Sequence, residues 1–228
     1  MSAPELSVGL VLLPEHQWLD AAGTTDYLYN HSYDILSKLY TDNPELVSKA
    51  PRMTFHYISS DYSPVHASSG PPQTPTCTYE NCPFVDIIIV PGADPAAEAP
   101  KGFVEFIQTR YADPKFKAIL MVCTGSMCIA RTGILDGHQV CSNKFVLRMA
   151  ANNKMLYDKV KWIGDRRWII DGKLWSAGGV TCGIDLAAEY ARQHFAPEIV
   201  QAAMDISEYK PNPAQPDPFA YLTEGLGL

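Results

Sequence analysis

The sequence predicts an α/β fold built on an open, mostly parallel sheet with helices on both faces. Apolar segments of strand length alternate with helical segments along the 228 residues, which is typical of this architecture. The strand segments are apolar at almost every position, as expected of strands covered on both faces. Three of them end on small residues, at 91–93, 123–125 and 177–179. Ligands bind beyond the carboxyl ends of such strands, so these turns predict the site.

The strands are predicted wherever a short, β-branched apolar run occurs. These runs lie at 6–13, 53–59, 85–92, 117–123, 138–142 and 167–179, and Asp171-Gly172 marks a hairpin turn within the last. Helices are predicted in the segments that follow, at 21–40, 100–112, 125–135, 144–153 and 182–195, with a final helix after Pro197. No linker or internal repeat interrupts this order, and a single domain over residues 1–228 is expected.

Two segments lie outside the alternation. Residues 60–83 form a long polar loop, which is expected to cover part of the molecule. The tail, residues 211–228, is rich in proline and cannot be helical through its first half. It is expected to wrap over the domain or over a partner subunit, with Phe219, Tyr221 and Leu222 as apolar anchors.

Composition and charge exclude several classes of function. The net charge of -7 argues against nucleic-acid binding, and the densest basic stretch, 164–168, is expected to be a solvated turn. No segment reaches the roughly 18 apolar residues of a membrane-spanning helix, and the N-terminus lacks the basic region of a signal peptide. A cytoplasmic location without a membrane partner is therefore expected. Cys77 and Cys82 have no matching ligand pair, so no metal site is predicted.

Cys123 lies where an apolar strand turns directly into a helix. Backbone N–H groups and the helix dipole favour a thiolate at such a position and lower a cysteine pKa. The same groups, with one from the Gly92-Ala93 turn, would hold negative charge on a substrate. Gly125 permits the tight turn, and Thr124 can form hydrogen bonds in the pocket. A small buried cysteine with no chemical role is the alternative interpretation, and the turn alone does not decide.

Asp20 follows the first strand and is expected at the same rim of the sheet. It is also a good candidate for the N-cap of the first helix, and the two roles are compatible. His16 lies close to Asp20 in the sequence and could face the same pocket, but a position in a surface loop is expected for it.

Three blocks resemble a known family. "DIIIVPGA", "VCTGSMCIARTGILDG" and "WSAGGVTCGIDLAAEYA" occur in the order of the core blocks of the DJ-1/PfpI (ThiJ) superfamily, and the likeness spans roughly residues 6–196. The resemblance implies a flavodoxin-like fold, a homodimer, and Cys123 as the nucleophile of a strand-to-helix elbow. Asp20 after the first strand and Thr124 after the cysteine are similar to the isonitrile hydratase branch, in which an aspartate serves the cysteine.

The sequence departs from other branches of that superfamily at two positions. The protease branch has a histidine directly after the nucleophile, where this chain has Thr124. Many members carry another histidine shortly after the next strand, and the matching stretch here offers Asn143. Protease activity is therefore not expected, and Asp20 is left to carry the proton transfers.

The predicted function is hydration of a small isonitrile-like substrate to an N-formamide without a cofactor. The Cys123 thiolate would form a thioimidate, and Asp20 would first protonate the carbon and then activate water. Gly92, Ala93, Thr124, Gly125 and Gly179 are the predicted surroundings of the reacting group. Two alternatives stay open: a glyoxalase-like or dehydratase reaction on a carbonyl compound or natural-product intermediate, and a redox-sensing, stress-protective role without catalysis.

Overall fold

A computed structural model describes residues 4–228. Its strands are β1 (Glu5–Val11), β2 (Arg52–Ser59), β3 (Cys77–Thr78), β4 (Ile87–Val90), β5 (Ala118–Val122), β6 (Gln139–Val140), β7 (Lys161–Trp162), β8 (Trp168–Asp171) and β9 (Leu174–Ala177). Seven of these strands form the main sheet of the described chain, in the order β3-β2-β1-β4-β5-β9-β8. The β8–β9 hairpin is antiparallel and the other pairs are parallel. The predicted open, mostly parallel sheet is confirmed.

The helices are α1 (Trp18–Tyr29), α2 (Tyr33–Leu39), α3 (Pro44–Lys49), α4 (Phe103–Ala112), α5 (Gly125–Ala130), α6 (Lys144–Asn152), α7 (Cys182–His194) and α8 (Pro197–Ser207), with a 3₁₀ turn at Ala220–Thr223. They cover both faces of the sheet because its side chains alternate between two apolar cores. In β4, Ile87 and Ile89 join the core beneath α1 and α7, whereas Ile88 and Val90 join the core beneath α4 and α5.

The helix predicted over 21–40 is divided in two. The chain leaves α1 at Asn30, and Ser32 starts α2 by accepting a hydrogen bond from the Ile35 N–H at 3.4 Å. Serine is a favoured N-cap, and here it opens a new helix within a segment that has helical periodicity.

The strand predicted over 138–142 does not join the main sheet. Its residues form β6, which pairs in parallel with β7 in a separate two-stranded sheet. The Gln139 N–H donates instead to the Asp171 carboxylate at 2.9 Å, which ties this small sheet to the β8–β9 turn.

The segment 60–83, predicted to be a loop, contains the edge strand β3, which the sequence did not predict. Its earlier part is a loop that lies over the turn between β1 and α1. The Ser68 N–H donates to the His16 carbonyl at 2.8 Å, and the Glu15 N–H donates to the His66 carbonyl at 2.8 Å. Gly70 packs on the Trp18 ring, where a Cβ would lie 3.1 Å from the nearest ring atom. The loop therefore shields the segment that leads into α1.

The C-terminal tail wraps over its own domain, but its anchors are polar. Asp217 is buried against Lys144 at 2.9 Å, and the buried Thr223 hydroxyl donates to the Gly164 carbonyl at 2.9 Å. Phe219 and Tyr221, two of the predicted apolar anchors, are 54% and 60% exposed. The prediction was wrong for these two rings because the tail is held by the buried Asp217 and Thr223, while Leu222 is partly buried.

The stretch 164–168 is solvated at Asp165 and Arg166, as its charge predicted, but not at Arg167. Arg167 is buried and forms an ion pair with the fully buried Asp185. The backbone N–H of Arg167 also donates to the Ala214 carbonyl of the tail at 2.8 Å. The prediction was wrong for Arg167 because its partners come from α7 and from the tail, which are distant in the sequence.

Candidate active site

Cys123 occupies a strained turn directly after β5. Its φ is 57°, a left-handed conformation that non-glycine residues seldom adopt, and such strain costs about 1–3 kcal/mol. The Cys123 N–H donates to the Ala177 carbonyl of β9 at 3.1 Å, and the Ser142 hydroxyl donates to the Cys123 carbonyl at 2.9 Å. These bonds hold the elbow that the sequence predicted, with the thiol at the carboxyl edge of the sheet.

Two predicted glycines allow the neighbouring strand ends to approach the elbow. A Cβ on Gly125 would lie 2.3 Å from the Val90 carbonyl oxygen. A Cβ on Gly92 would lie 2.8 Å from both the Asp20 Oδ2 and the Thr124 Oγ1, and 2.9 Å from the Cys123 Cβ. No real Cβ fits at these separations, so Gly92 and Gly125 set how closely the β4 and β5 turns meet.

Asp20 lies in the first turn of α1 and is fully buried. It does not cap the helix, since Gln17 occupies the N-cap; its Oδ2 instead accepts the Gly92 N–H at 2.9 Å. Burial raises the pKa of Asp20 to about 6, against the opposing effects of the Gly92 N–H and of a hydrogen bond with the Cys123 thiol. Oδ1 has no hydrogen-bond partner of standard geometry among the described residues. Because Asp20 Oδ2 and the Cys123 Cβ both lie within 2.9 Å of the position that a Cβ on Gly92 would occupy, the carboxyl group lies beside Cys123.

The Cys123 thiol holds its proton more tightly than the elbow position predicted. Burial, and then the charge of Asp20, raise its pKa to about 12. The Thr124 N–H and the Asn143 side chain favour the thiolate, but they do not offset burial. The expectation of a lowered pKa was wrong because the helix N-terminus acts on a group removed from water beside a carboxylate. Near neutral pH the site is thus a thiol facing an ionised carboxylate.

The hydrogen-bond donors around the thiol are fewer than the sequence predicted. The Gly92 N–H already donates to Asp20. The Thr124 hydroxyl donates to the Ala93 carbonyl at 2.7 Å, so Ala93 and Thr124 link the β4 and β5 turns. The Thr124 N–H stays directed at the Cys123 sulfur. Thr124 is therefore the predicted residue whose backbone can hold charge at the reacting centre.

Asn143 completes the site, although the sequence marked it only as a missing histidine. Its Oδ1 accepts the Val146 N–H at 3.1 Å and caps α6, so its amide nitrogen is the group directed at the Cys123 sulfur. A Cβ on Gly179 would lie 3.9 Å from the Asn143 Nδ2. Gly179 thus borders the site through Asn143. The signal that could have identified Asn143 was its N-cap position directly after the β6 segment.

His16 is fully buried and not in a surface loop. Its Nδ1 lies 2.7 Å from the Leu13 carbonyl oxygen, and burial lowers its pKa. The prediction was wrong because loop 60–83 covers this segment. The contacts of Asp20 are to Gly92 and Cys123, and His16 is not among them.

The described chain offers no ligand set for a metal ion and no membrane span. Within residues 4–228, no three His, Cys, Asp or Glu side chains are grouped as metal ligands. Nor does any helix of that range have the length and apolarity to cross a bilayer.

The fold and the site together define a class of protein: flavodoxin-like α/β domains with a cysteine in a strand-to-helix elbow faced by a buried carboxyl group. The chain belongs to the DJ-1/PfpI family, whose sequence pattern matches residues 40–193. The family predicted from the sequence blocks is confirmed. Its fold is also that of a ThiJ/PfpI family protein from Pseudomonas syringae, with a TM-score of 0.69 at 18% identity over 99% of this chain and 91% of that one.

Two relatives indicate how far function varies among similar chains. The sequence is 29% identical to the isonitrile hydratase of Pseudomonas putida over 215 residues, or 91% of this chain and 80% of that protein. It is 27% identical to the HTH-type transcriptional regulator GbdR of Pseudomonas aeruginosa over 157 residues, or 68% of this chain and 41% of the regulator. The relatives thus include both an enzyme and a regulator.

Proposed function

We propose that the protein is a cofactor-independent hydratase that converts an isonitrile-like substrate to an N-formamide. The observation that carries the proposal is the proximity of Cys123 and the buried Asp20 carboxyl group, which lie on either side of the space left by the missing side chain of Gly92. This pair supplies a nucleophile and a base that can return the proton it takes. The similarity to an isonitrile hydratase over most of the chain supports the choice of substrate.

In the first half of the reaction the thiol adds to the isonitrile carbon. Asp20, ionised above pH 6, takes the thiol proton as the sulfur–carbon bond forms. The carbon then holds an electron pair, and Asp20 returns the proton to it. The product is a thioimidate bonded to Cys123, with no change in the charge of the protein. The Asp20 carboxyl group therefore acts first as a base and then as an acid, and it transfers the same proton from the sulfur to the carbon.

In the second half water adds to the thioimidate carbon. Asp20 takes a proton from the attacking water and returns it to the substrate nitrogen, which gives a neutral tetrahedral intermediate. As the carbon–sulfur bond then breaks, Asp20 takes the hydroxyl proton of that intermediate and passes it to the departing sulfur, so that the thiol is restored, the N-formamide is released and Asp20 is ionised again. The sum is the addition of one water molecule, with no oxidation or reduction. The Thr124 N–H and the Asn143 side chain hold charge at the sulfur while bonds to it form and break.

The proposal is tested with the purified protein and cyclohexyl isocyanide, with N-formamide followed by mass spectrometry. The wild-type protein is expected to turn the isonitrile over, and Cys123→Ala to abolish turnover. Cys77→Ala is the matched control, because Cys77 is a buried thiol at the edge of the sheet, in β3. An intact mass of the wild-type protein during turnover should include the mass of the thioimidate. Absence of formamide from folded wild-type protein would contradict the proposal.

The two alternatives find less support in the site. Redox-sensing cysteines have low pKa values, whereas the pKa of Cys123 is raised to about 12. A glyoxalase-like or dehydratase reaction through an imidazole base would need a histidine beside the thiol, and the contacts of Cys123 are to Asp20, Thr124 and Asn143.

A further inference from the structure

A cavity of about 260 Å³ lies beneath the C-terminal tail. Its floor is formed by the start of α6 at residues 143–145 and by the turn into α7 at residues 179–182. Its roof is formed by the tail residues Asp217, Phe219 and Leu222. One side of the cavity is therefore formed by a segment that follows α8 and contributes no strand to the sheet.

The cavity adjoins the nucleophile through Asn143. This side chain lines the cavity, and its amide nitrogen also faces the Cys123 sulfur. Gly179 lines the cavity two residues beyond Ala177, whose carbonyl accepts the Cys123 N–H. Asn143 thus lies between the cavity and the reacting sulfur.

The charged groups in the cavity wall are neutralised. Lys144 and Asp217 form an ion pair at 2.9 Å, with each side chain 3% exposed, and the Lys144 ammonium also donates to the Arg166 carbonyl. Arg167 is paired with Asp185. Phe145, Val180, Phe219 and Leu222 supply apolar surface between these pairs. The chemistry of the wall therefore suits an uncharged apolar group and excludes a carboxylate or phosphate.

The roof is held in place by contacts that do not depend on its apolar side chains. Asp217 is tied to Lys144, the Arg167 N–H donates to the Ala214 carbonyl at 2.8 Å, and the Thr223 hydroxyl donates to the Gly164 carbonyl at 2.9 Å. Phe219 and Leu222 can accordingly be changed without releasing the tail.

We propose that this cavity binds the apolar body of the substrate and makes the tail a determinant of specificity. The inference rests on the proposed function: the linear isonitrile group would extend past Asn143 to Cys123, and the hydrocarbon attached to its nitrogen would occupy the cavity. Pockets for drug-sized ligands measure about 300–1,000 Å³, so 260 Å³ suits a group the size of a single ring.

The test compares cyclohexyl isocyanide with methyl isocyanide as substrates. Leu222→Trp, which fills the cavity, is expected to lower the ratio of their kcat/KM values at least tenfold. Phe219→Ala, which removes part of the roof, is expected to lower kcat/KM for the cyclohexyl substrate about threefold or more while the methyl value stays within twofold. Tyr221→Ala is the matched control, since Tyr221 is an exposed tail aromatic outside the cavity wall.

A second measurement separates this inference from the proposed function. The rate of Cys123 alkylation by N-phenyl iodoacetamide is divided by the rate with iodoacetamide itself, at the same pH. A ratio that falls at least threefold in Leu222→Trp supports the cavity even if no isonitrile is turned over. The inferred role of the cavity would be overturned if neither the kinetic ratio nor the alkylation ratio changed in Leu222→Trp and in Phe219→Ala. Should Leu222→Trp not fold, Phe219→Ala decides, because its side chain is more than half exposed.

Discussion

The Gly92 N–H donates to the Asp20 carboxylate at 2.9 Å, and this bond joins the turn after β4 to the first turn of α1. It fixes the orientation of the carboxyl group that lies beside Cys123 and raises the pKa of its thiol. Gly92 therefore has two functions: its N–H holds the base, and its missing side chain leaves the space in which base, thiol and Thr124 meet.

Gly92→Ala is expected to disrupt the site more than the fold. The new Cβ would lie 2.8–2.9 Å from atoms of Asp20, Thr124 and Cys123, and overpacking of this kind destabilises by about 1–3 kcal/mol. Turnover should fall at least 100-fold because the base and the nucleophile are pushed apart. Kinetics and urea denaturation would measure the two effects.

Gly179→Ala is the stability control for this variant, because its Cβ would meet the Asn143 Nδ2 at an ordinary 3.9 Å. Its free energy of unfolding should stay within about 0.5 kcal/mol of the wild type. Equal turnover in Gly92→Ala and wild type would contradict the placement of Asp20.

The pH dependence of turnover should follow Asp20. Its pKa is raised to about 6 by burial, and the mechanism needs it ionised to take the thiol proton. The value of kcat/KM is therefore expected to rise tenfold per pH unit below pH 6 and to level off above it. The thiol adds no second limb near neutrality, because its pKa is raised to about 12. A rate that instead rises steadily between pH 7 and pH 9 would indicate attack by a free thiolate.

Asp20→Asn should abolish turnover and stabilise the protein at neutral pH. The wild-type carboxyl has a folded-state pKa of about 6, above its ordinary 3.8, so its contribution to stability is full below pH 3.8 and is lost as pH rises through 6. The shift corresponds to about 3 kcal/mol. Asparagine stays neutral and can still accept the Gly92 N–H. In urea titrations, the free energy of unfolding of Asp20→Asn should therefore rise above that of the wild type between pH 4 and pH 6. A difference between the two proteins that stays constant across that range would contradict the pKa shift.

The elbow could be predicted from the sequence because its signals are local. Cys123 ends an apolar run and is followed at once by small residues and a helix, and Asp20 follows the first strand. The burial of His16 and Arg167 could not be predicted in this way. Loop 60–83 covers the former, and α7 and the tail enclose the latter. The direction of the Cys123 pKa shift could not be predicted from the sequence either, because it depends on how much water these segments exclude from the site.

Asn143 is expected to support the reaction through its amide nitrogen. Asn143→Ser keeps a capping oxygen for α6 but removes the donor at the sulfur, so kcat/KM should fall about tenfold with stability nearly unchanged. Asn143→Asp also keeps the cap but adds a negative charge beside the thiol, which should lower kcat/KM at least 100-fold.

Two further measurements complete the test of Asn143. The pH profile of Cys123 alkylation should shift upward in Asn143→Asp, which a purely structural role would not produce. Asn143→Ala should also lose about 1 kcal/mol of stability, because it removes the cap. If Asn143→Ser has the kcat/KM of the wild type, the role of Asn143 is limited to capping α6.

The tail should detach when the Lys144–Asp217 pair is broken from one side. Both side chains are 3% exposed, so Asp217→Ala leaves a buried ammonium without its partner, a change that costs about 3–5 kcal/mol. Residues 211–228 should then become sensitive to limited proteolysis.

The exposed Lys159–Asp136 pair is the matched control, and Asp136→Ala should change stability by less than about 1 kcal/mol. The double variant Lys144→Met/Asp217→Leu, which removes both charges, should recover most of the loss; a tail that stays protected in Asp217→Ala would show that Thr223 and the Ala214 carbonyl suffice to hold it.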